Sequence, residues 1–228
     1  MPSVALQQFL AALDEVRHLG NASHPTLARD APESLSLARA VGRGQIVLLS
    51  SHFERYFYAV NEELVAFMNA RQLNGHRLPV TIRLLHSAVP VDDLGRTGWE
   101  HRLEKLETFV AEDSWLWSQN TRGILLHERL LIWMKAPKPE SLVRYYRYWG
   151  IDDIFTAATR TQNTRSALWL SLRGLVELRN NIAHGDFAAQ ATQADVKRYA
   201  ARVRQFCERA DRILATQIRR AFAVPSPW

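Results

Sequence analysis

The chain has 228 residues, 47% of them hydrophobic and 23% charged, with a formal net charge of +6, which is ordinary for a globular protein and enough for one large domain or two small ones. No apolar run reaches the ~18 residues of a membrane span. The single cysteine, Cys207, excludes an internal disulfide, and the start Met1-Pro2-Ser3-Val4 lacks the basic and apolar parts of a signal peptide, so the expected compartment is the cytoplasm.

Ten glycines and nine prolines are few for this length and favour helices. Residues 3–20 read as a helix, with Val4, Phe9, Leu10, Leu13 and Val16 as a partial apolar stripe. A polar loop is expected from Asn21 to Pro32. From Ser34 to Asn74 the pattern predicts one long helix: Ile46, Leu49, Phe53, Phe57, Val60, Leu64 and Phe67 recur at steps of three and four. Gly42 and Gly44 weaken its start and mark a candidate break, and Gly75 with Pro79 ends it. Residues 76–98 are expected to hold a short helix and then a loop over Asp92-Asp93-Leu94-Gly95-Arg96-Thr97-Gly98. A further helix is predicted from Trp99 to Ser118. The run Ile124–Met134 fits a helix or a buried strand by pattern; its leucines and its helical surroundings favour helix.

Pro139-Glu140-Ser141 opens a helix that reaches Trp149 and stops at Gly150. Asp152 to Gln162 is a connection with room for one helical turn. Ser166–His184 is a helix whose buried side is Leu168, Leu172, Leu175, Leu178 and Ile182. Thr192-Gln193-Ala194-Asp195 resembles an N-terminal cap. It leads into a last helix with Val196, Tyr199, Val203, Phe206, Ala210, Ile213 and Gln217 at three-four spacing, ended by Pro225 and Pro227. Cys207 lies in that apolar stripe and is expected to be a buried, inert thiol. There is no internal repeat or linker, so the expectation is a single all-α domain over residues 1–228, a helical bundle with a long final helix.

From Ala191 onward Lys197, Arg198, Arg202, Arg204, Arg209, Arg212, Arg219 and Arg220 face only Asp195, Glu208 and Asp211. Most of the net charge therefore sits on the last helix, which suits a polyanionic partner or a solvated helix face. Immediately before it stands Arg179-Asn180-Asn181-Ile182-Ala183-His184-Gly185. Arginine can hold a phosphate and histidine can move a proton near neutral pH. Asn180 and His184 share a helix face. Arg179 and His184, five apart, differ by about 140° around a regular helix. They converge on one substrate only if the helix ends at His184, with Gly185 as its C′ residue, or if two copies of the chain share a site. The plainer alternative is a histidine that caps the last carbonyls and an Arg179 paired to an acid.

Arg179, four residues and then His184 resembles the R-x4-6-H signature of the HEPN superfamily. The fuller string through Asp186 is similar to its stand-alone RiboL-PSP-HEPN branch, as are Ser50–Phe57 on the long helix, the segment Pro139–Ile154 and the long last helix. The likeness covers roughly two thirds of the chain, with residues 76–135 contributing little. The resemblance implies a metal-independent endoribonuclease without cofactor, acting on RNA as a homodimer whose motif helices meet at the interface. Arg179 and His184 would be the catalytic pair, with Asn180 orienting the histidine or the phosphate. It also implies the toxin of a toxin–antitoxin pair, held by a cognate antitoxin or partner protein, or a defence effector. The alternative is a catalytically silent HEPN-fold module that binds RNA or protein. Some HEPN toxins carry a tyrosine two positions after the histidine that a partner nucleotidyltransferase modifies; here that position is Asp186, which leaves no such control.

Other clusters are weaker. The eight histidines form no H-x3-H pair and there is no cysteine cluster, so no metal site is expected. Gly42-Arg43-Gly44-Gln45 lacks the spacing and the lysine of a phosphate loop. Arg144-Tyr145-Tyr146-Arg147-Tyr148-Trp149 interleaves bases with aromatics. Arg144 and Arg147, with Lys197 and Arg198, are candidate RNA contacts, although Tyr145, Tyr148 and Trp149 share a side that suits the core. His52, Glu54 and Asp186 are candidate supports for the catalytic pair, with an arginine partner as the plainer role for Glu54.

Overall fold

The computed structural model describes residues 1–22, 32–119 and 121–228. Most of the loop expected between Asn21 and Pro32, with His24, lies outside them. Among the described residues the architecture is all-α, with no strand beyond one isolated bridge between Asn74 and Arg122.

Helix α1 (Val4–Ala22) starts where a carboxylate from elsewhere in the chain and the hydroxyl of the preceding residue take its first N–H groups. Glu63 accepts from Val4 and Ala5 at 3.2 and 3.1 Å, and Ser3 Oγ accepts from Leu6 at 2.9 Å. Ser3 is in turn held by buried Asp211, which accepts from its backbone N–H and its hydroxyl. Negative charge at a helix N-terminus is favourable, so this one cluster ties α1 to both long helices of the fold. Burial pushes the Asp211 carboxyl up, and the Ser3 bonds oppose it.

Helix α2 (Pro32–Ala70) runs unbroken through Gly42 and Gly44, against the expected break. Of its predicted apolar stripe, Ile46, Leu49, Phe53, Phe57, Val60 and Leu64 are fully buried, while the last member, Phe67, is only partly buried. Helix α3 (Val80–Arg96) is longer than expected and takes in Pro90, Asp92 and Asp93. Its end is closed by Thr97, whose N–H and hydroxyl both donate to the Asp93 carbonyl, at 3.0 and 2.7 Å. The predicted helix from Trp99 is a 3-10 turn (Trp99–His101), then α4 (Arg102–Asp113) and a second 3-10 turn (Ser114–Leu116). α4 packs chiefly on α3, and of its twelve residues only Asp113 is buried. Leu103, Leu106 and Val110 stay exposed.

The run from Ile124 is not one helix. Its first residues are extended and only His127–Leu131 (α5) is helical. The cause is tertiary. Asn69 clasps the backbone of Leu125 from both sides, donating to its carbonyl at 3.0 Å and accepting its N–H at 2.9 Å. Buried His86 accepts the N–H of Leu126 at 2.9 Å on Nε2 and meets Asp113 at 2.6 Å on Nδ1. Asp113 is also paired to Arg129 at 2.7 Å. Since Nε2 accepts a hydrogen bond, Nδ1 carries the proton and the ring is neutral. Burial, the largest influence, depresses its pKa.

Helices α6 (Pro139–Tyr148) and α7 (Ile154–Ala158) follow as predicted, the first ended by Gly150 at φ +83°, the second capped by Asp153. Aromatic rings fill the centre: Phe53, Phe57, Tyr145, Tyr146 and Phe206 stack edge-on with centroids 5.1 to 6.5 Å apart, pairs that contribute about 0.5–1.5 kcal/mol each beyond burial. Tyr145, Tyr146 and Trp149 point inward, as does Cys207, whose thiol is pushed up by burial.

Helix α8 (Gln162–Ala183) starts four residues before expectation, at a capping box of Thr161 and Thr164. Helix α9 (Gln193–Phe222) starts at the expected box of Thr192 and Asp195. α9 runs back along α8: Tyr199 lies over Gly174, where a Cβ would come within 3.1 Å of its hydroxyl, and Arg209 donates to Ala158 at 2.7 Å. The turn between α8 and α9 therefore sits at one end of the molecule. There it meets the N-terminal half of α2.

Candidate functional site

Along α8 the buried residues are Leu168, Leu172, Leu175, Val176 and Ile182, with the expected Leu178 only partly buried; the stripe Leu168, Leu172, Leu175, Ile182 advances by four, three and seven. Arg179 divides the last step into four and three, so it occupies a position of the core stripe and is half-buried. Its guanidinium donates to the Asn180 side chain at 3.2 Å. Among the described residues it is in no ion pair. In this chain the Asn180 side chain thus meets the arginine, and among the described residues it makes no hydrogen bond to the His184 ring.

The opposite stripe, Leu170, Arg173, Glu177, Asn181 and His184, faces water. His184 is the C-cap, with φ −82° and ψ 5°, and its backbone N–H still donates to Asn180 at 2.9 Å. Its imidazole is exposed and makes no hydrogen bond among the described residues, so it does not cap the last carbonyls. The separation of about 140° that helical geometry gives the pair is thus retained. In one chain Arg179 is set toward the core side and His184 toward solvent.

The turn after His184 is closed by its own bonds. Gly185, at φ +81°, donates to Ile182 at 3.1 Å and Asp186 donates to Asn181 at 3.0 Å, the paired bonds of a Schellman end. The Asp186 carboxylate accepts the N–H of Ala188 at 2.8 Å, so it serves the turn rather than His184. Gln190 Nε2 donates to the Phe187 carbonyl at 2.7 Å. Ala189 and Ala191 are buried. Arg43 of α2 donates to the Asp186 carbonyl at 3.1 Å and lies 5.8 Å from the centre of the Phe187 ring. Between this turn and the first turns of α2 is a groove of about 550 Å³, lined among others by Leu35, Arg39, Arg43 and Phe187. Arg39, Arg43 and Phe187 were not singled out from the sequence. Arg43 and Asp186 are 143 positions apart, and the one usable signal was a phenylalanine standing among small and polar residues so close to His184.

The other candidates are dispersed. Lys197 and Arg198 are exposed on the first turns of α9, at the motif end; Arg198 is held by Asp195 at 2.6 Å and lies against the Tyr199 ring. Arg144 and Arg147 are exposed but lie toward the N-terminal end of α8 rather than at the motif, since Glu140 approaches Arg173 in mid-helix and Phe155 packs on Trp169. Arg144 lies over Trp133 and donates to Tyr148, while Arg147 donates to the Asp152 carbonyl. At that end Arg209, Arg212 and Arg220 line a second groove, of about 530 Å³, between α7 and α9.

His52 is turned to α1, its Nε2 3.2 Å from Glu15 in a geometry that makes no hydrogen bond. On the 100° steps of α2 it lies opposite Arg43, so the structure does not bring it to the motif. Glu54 is half-buried beside Tyr58, whose phenol is raised first by burial and then by that carboxylate. Among the described residues Glu54 has no arginine partner; Arg55 pairs with Glu62 instead.

Among the described residues no three His, Cys, Asp or Glu side chains are placed to hold a metal ion, and no helix is long and apolar enough to cross a membrane. Comparison with curated proteins and with solved structures gives no match. The model of one protein family, RiboL-PSP-HEPN, matches residues 7–216, from the first turns of α1 almost to the end of α9. With the motif at the end of α8 inside that span, the chain belongs to the RiboL-PSP-HEPN family.

Proposed function

We propose that this chain is an endoribonuclease that cuts RNA by transesterification through the 2′-hydroxyl, without a metal ion, and that residues 1–228 work as one domain in a homodimer. The observation that carries this is His184: an imidazole at a helix end, exposed and without a hydrogen bond among the described residues, five residues after a half-buried arginine, in a family generally associated with ribonucleases. His184 takes the proton of the 2′-hydroxyl, or returns one to the leaving 5′-oxygen. Arg179 stabilises the charge that builds on the phosphoryl oxygens, and Asn180 holds Arg179. The products are a 2′,3′-cyclic phosphate and a 5′-hydroxyl. Because the pair faces opposite sides of α8, the working site draws Arg179 from one copy and His184 from the other.

A nuclease of this kind needs a partner or a trigger to hold it in check, as the toxin of a toxin–antitoxin pair or a defence effector would. One observation favours the second reading, a silent RNA- or protein-binding module: Arg179 is already occupied by Asn180. The test is the purified protein in excess EDTA with matched RNA and DNA oligonucleotides, the product ends read by mass. RNA cut to a cyclic phosphate, with DNA intact, is expected. Strict magnesium dependence, a 5′-phosphate end or equal cutting of DNA overturns the mechanism, and no cutting at all favours the silent module.

A further inference from the structure

We propose that Phe187, Arg43 and Arg39 form a binding subsite for one nucleotide of single-stranded RNA, beside His184, with the base stacked on the phenylalanine ring and the flanking phosphates on the two arginines. This rests on the ribonuclease reading above and extends it to how the strand is held.

Large apolar side chains are normally withdrawn from water, yet Phe187 is 86% exposed. The turn that carries it is not loose. Gly185 and Asp186 close the helix end, Asp186 fixes Ala188, Gln190 fixes the Phe187 carbonyl, and Ala189 and Ala191 are buried. The ring is held out by a built turn, three residues after the proposed proton carrier. A rigid aromatic presented this way suits a nucleobase, because every base offers a π-face.

The surroundings are those of a polyanion rather than of a protein core. Arg43 uses one guanidinium nitrogen on the Asp186 carbonyl at 3.1 Å, which sets the guanidinium beside the ring, and the residue lines the groove. Arg39 lies one turn earlier on the same face of α2, about 6 Å along the helix axis. Among the described residues no acid lines the groove, and the nearby Asp186 carboxylate is bonded to Ala188. Leu35 and Ala40 give the groove an apolar wall for the edge of a base. A contact between two copies of this chain would also cover a phenylalanine, but two like-charged arginines at its centre disfavour it.

The experiment uses the His184→Ala protein, which is expected to hold RNA without cutting it. Its affinity for a labelled single-stranded RNA of about ten nucleotides is compared with that of the double variants carrying Phe187→Ala, Phe187→Trp or Arg43→Gln. Phe187→Ala should weaken binding about tenfold or more, the scale of one lost base stack, and Phe187→Trp should restore it. Arg43→Gln should weaken binding and lower its salt dependence. A fluorescent adenine analogue in the strand should be quenched by the protein with Phe187 and not by the alanine variant. Unchanged affinity in Phe187→Ala overturns the subsite. So does a protein that falls from dimer to monomer while its affinity per chain is unchanged, which assigns the ring to a contact between copies. The two readings fail separately. A wild-type protein that cuts no RNA but loses RNA binding with Phe187→Ala refutes the nuclease and keeps the subsite. An active enzyme whose rate at low RNA concentration ignores Phe187→Ala refutes the subsite alone.

Discussion

Gly42 of α2 lies against the carbonyl of Ala191 so closely that a Cβ there would come within 2.4 Å of the oxygen. The obstacle is backbone, which cannot rotate away, and that backbone belongs to the turn after His184. Gly44, one half-turn on, faces Leu19 at an ordinary 3.7 Å. The two glycines should therefore respond oppositely to alanine. Gly42→Ala should cost about 1–3 kcal/mol and reduce RNA cleavage by displacing the turn. Gly44→Ala should gain about 0.5–1 kcal/mol as a helix-interior glycine removed. Urea unfolding of both variants checks this; equal effects would mean that Gly42 is not the contact that seats the turn.

The two glycines also show what the sequence made legible. As local signals they marked a candidate break in α2, but tertiary contact decides that position: the helix continues because α2 needs a residue without a side chain where Ala191 crosses. Signals that act within a few residues were readable. The Thr192–Asp195 cap, the α2 stripe and the end of α8 at Gly185 all follow from neighbours in sequence. The polar start of α8 was not read because its exposed first turn carries no apolar periodicity, although the Thr161–Thr164 box was there to find. The extended stretch at Leu125 and Leu126 was not legible because its bonding partners, Asn69 and His86, are 56 and 40 positions away. At the candidate site, Arg179 and His184 stand out by spacing, whereas Arg43 reaches the turn at Asp186 only through packing.

His86 gives the fold a defined pH dependence. Its pKa is lowered on folding, chiefly by burial, and Nε2 must stay unprotonated to accept the Leu126 N–H. The neutral ring therefore contributes stability that is complete above the unfolded value of about 6.5 and is lost as pH falls through the lower folded value. Urea midpoints should hold steady from pH 8 to 7 and decline toward pH 5, with a shallower decline in His86→Gln. His86→Ala should cost on the order of 3 kcal/mol at pH 7.5, since it leaves Asp113 and the Leu126 N–H short of a partner. A wild-type curve without a decline in that window would refute the neutral assignment.

His184→Ala and Arg179→Ala should each slow RNA cleavage by about 10²–10⁴. His184 is exposed, so its variant should unfold like the wild type. Mixing the two inactive variants after exchange of chains tests the shared site directly. In a twofold dimer, half the molecules would be mixed, and each would keep one complete site, restoring about a quarter of the wild-type rate. Sedimentation should give about twice the 26.1 kDa chain mass. No recovery, or a monomer that cuts RNA, would place both residues of each site on one chain.

Helix α4, with one buried residue in twelve and its main contact on α3 alone, has a consequence for how the molecule breathes. A helix this short has little stability of its own in water, and opening it short of the buried Asp113 at its end uncovers almost no core. Its amide protons should exchange with solvent by local opening at a free energy far below that of global unfolding, whereas those of α8 and α9 wait for the whole bundle to open. The end of α8 and its turn are thus anchored in the slow-exchanging part of the molecule, and proteases acting on the native protein should nick the α3–α4 arm first.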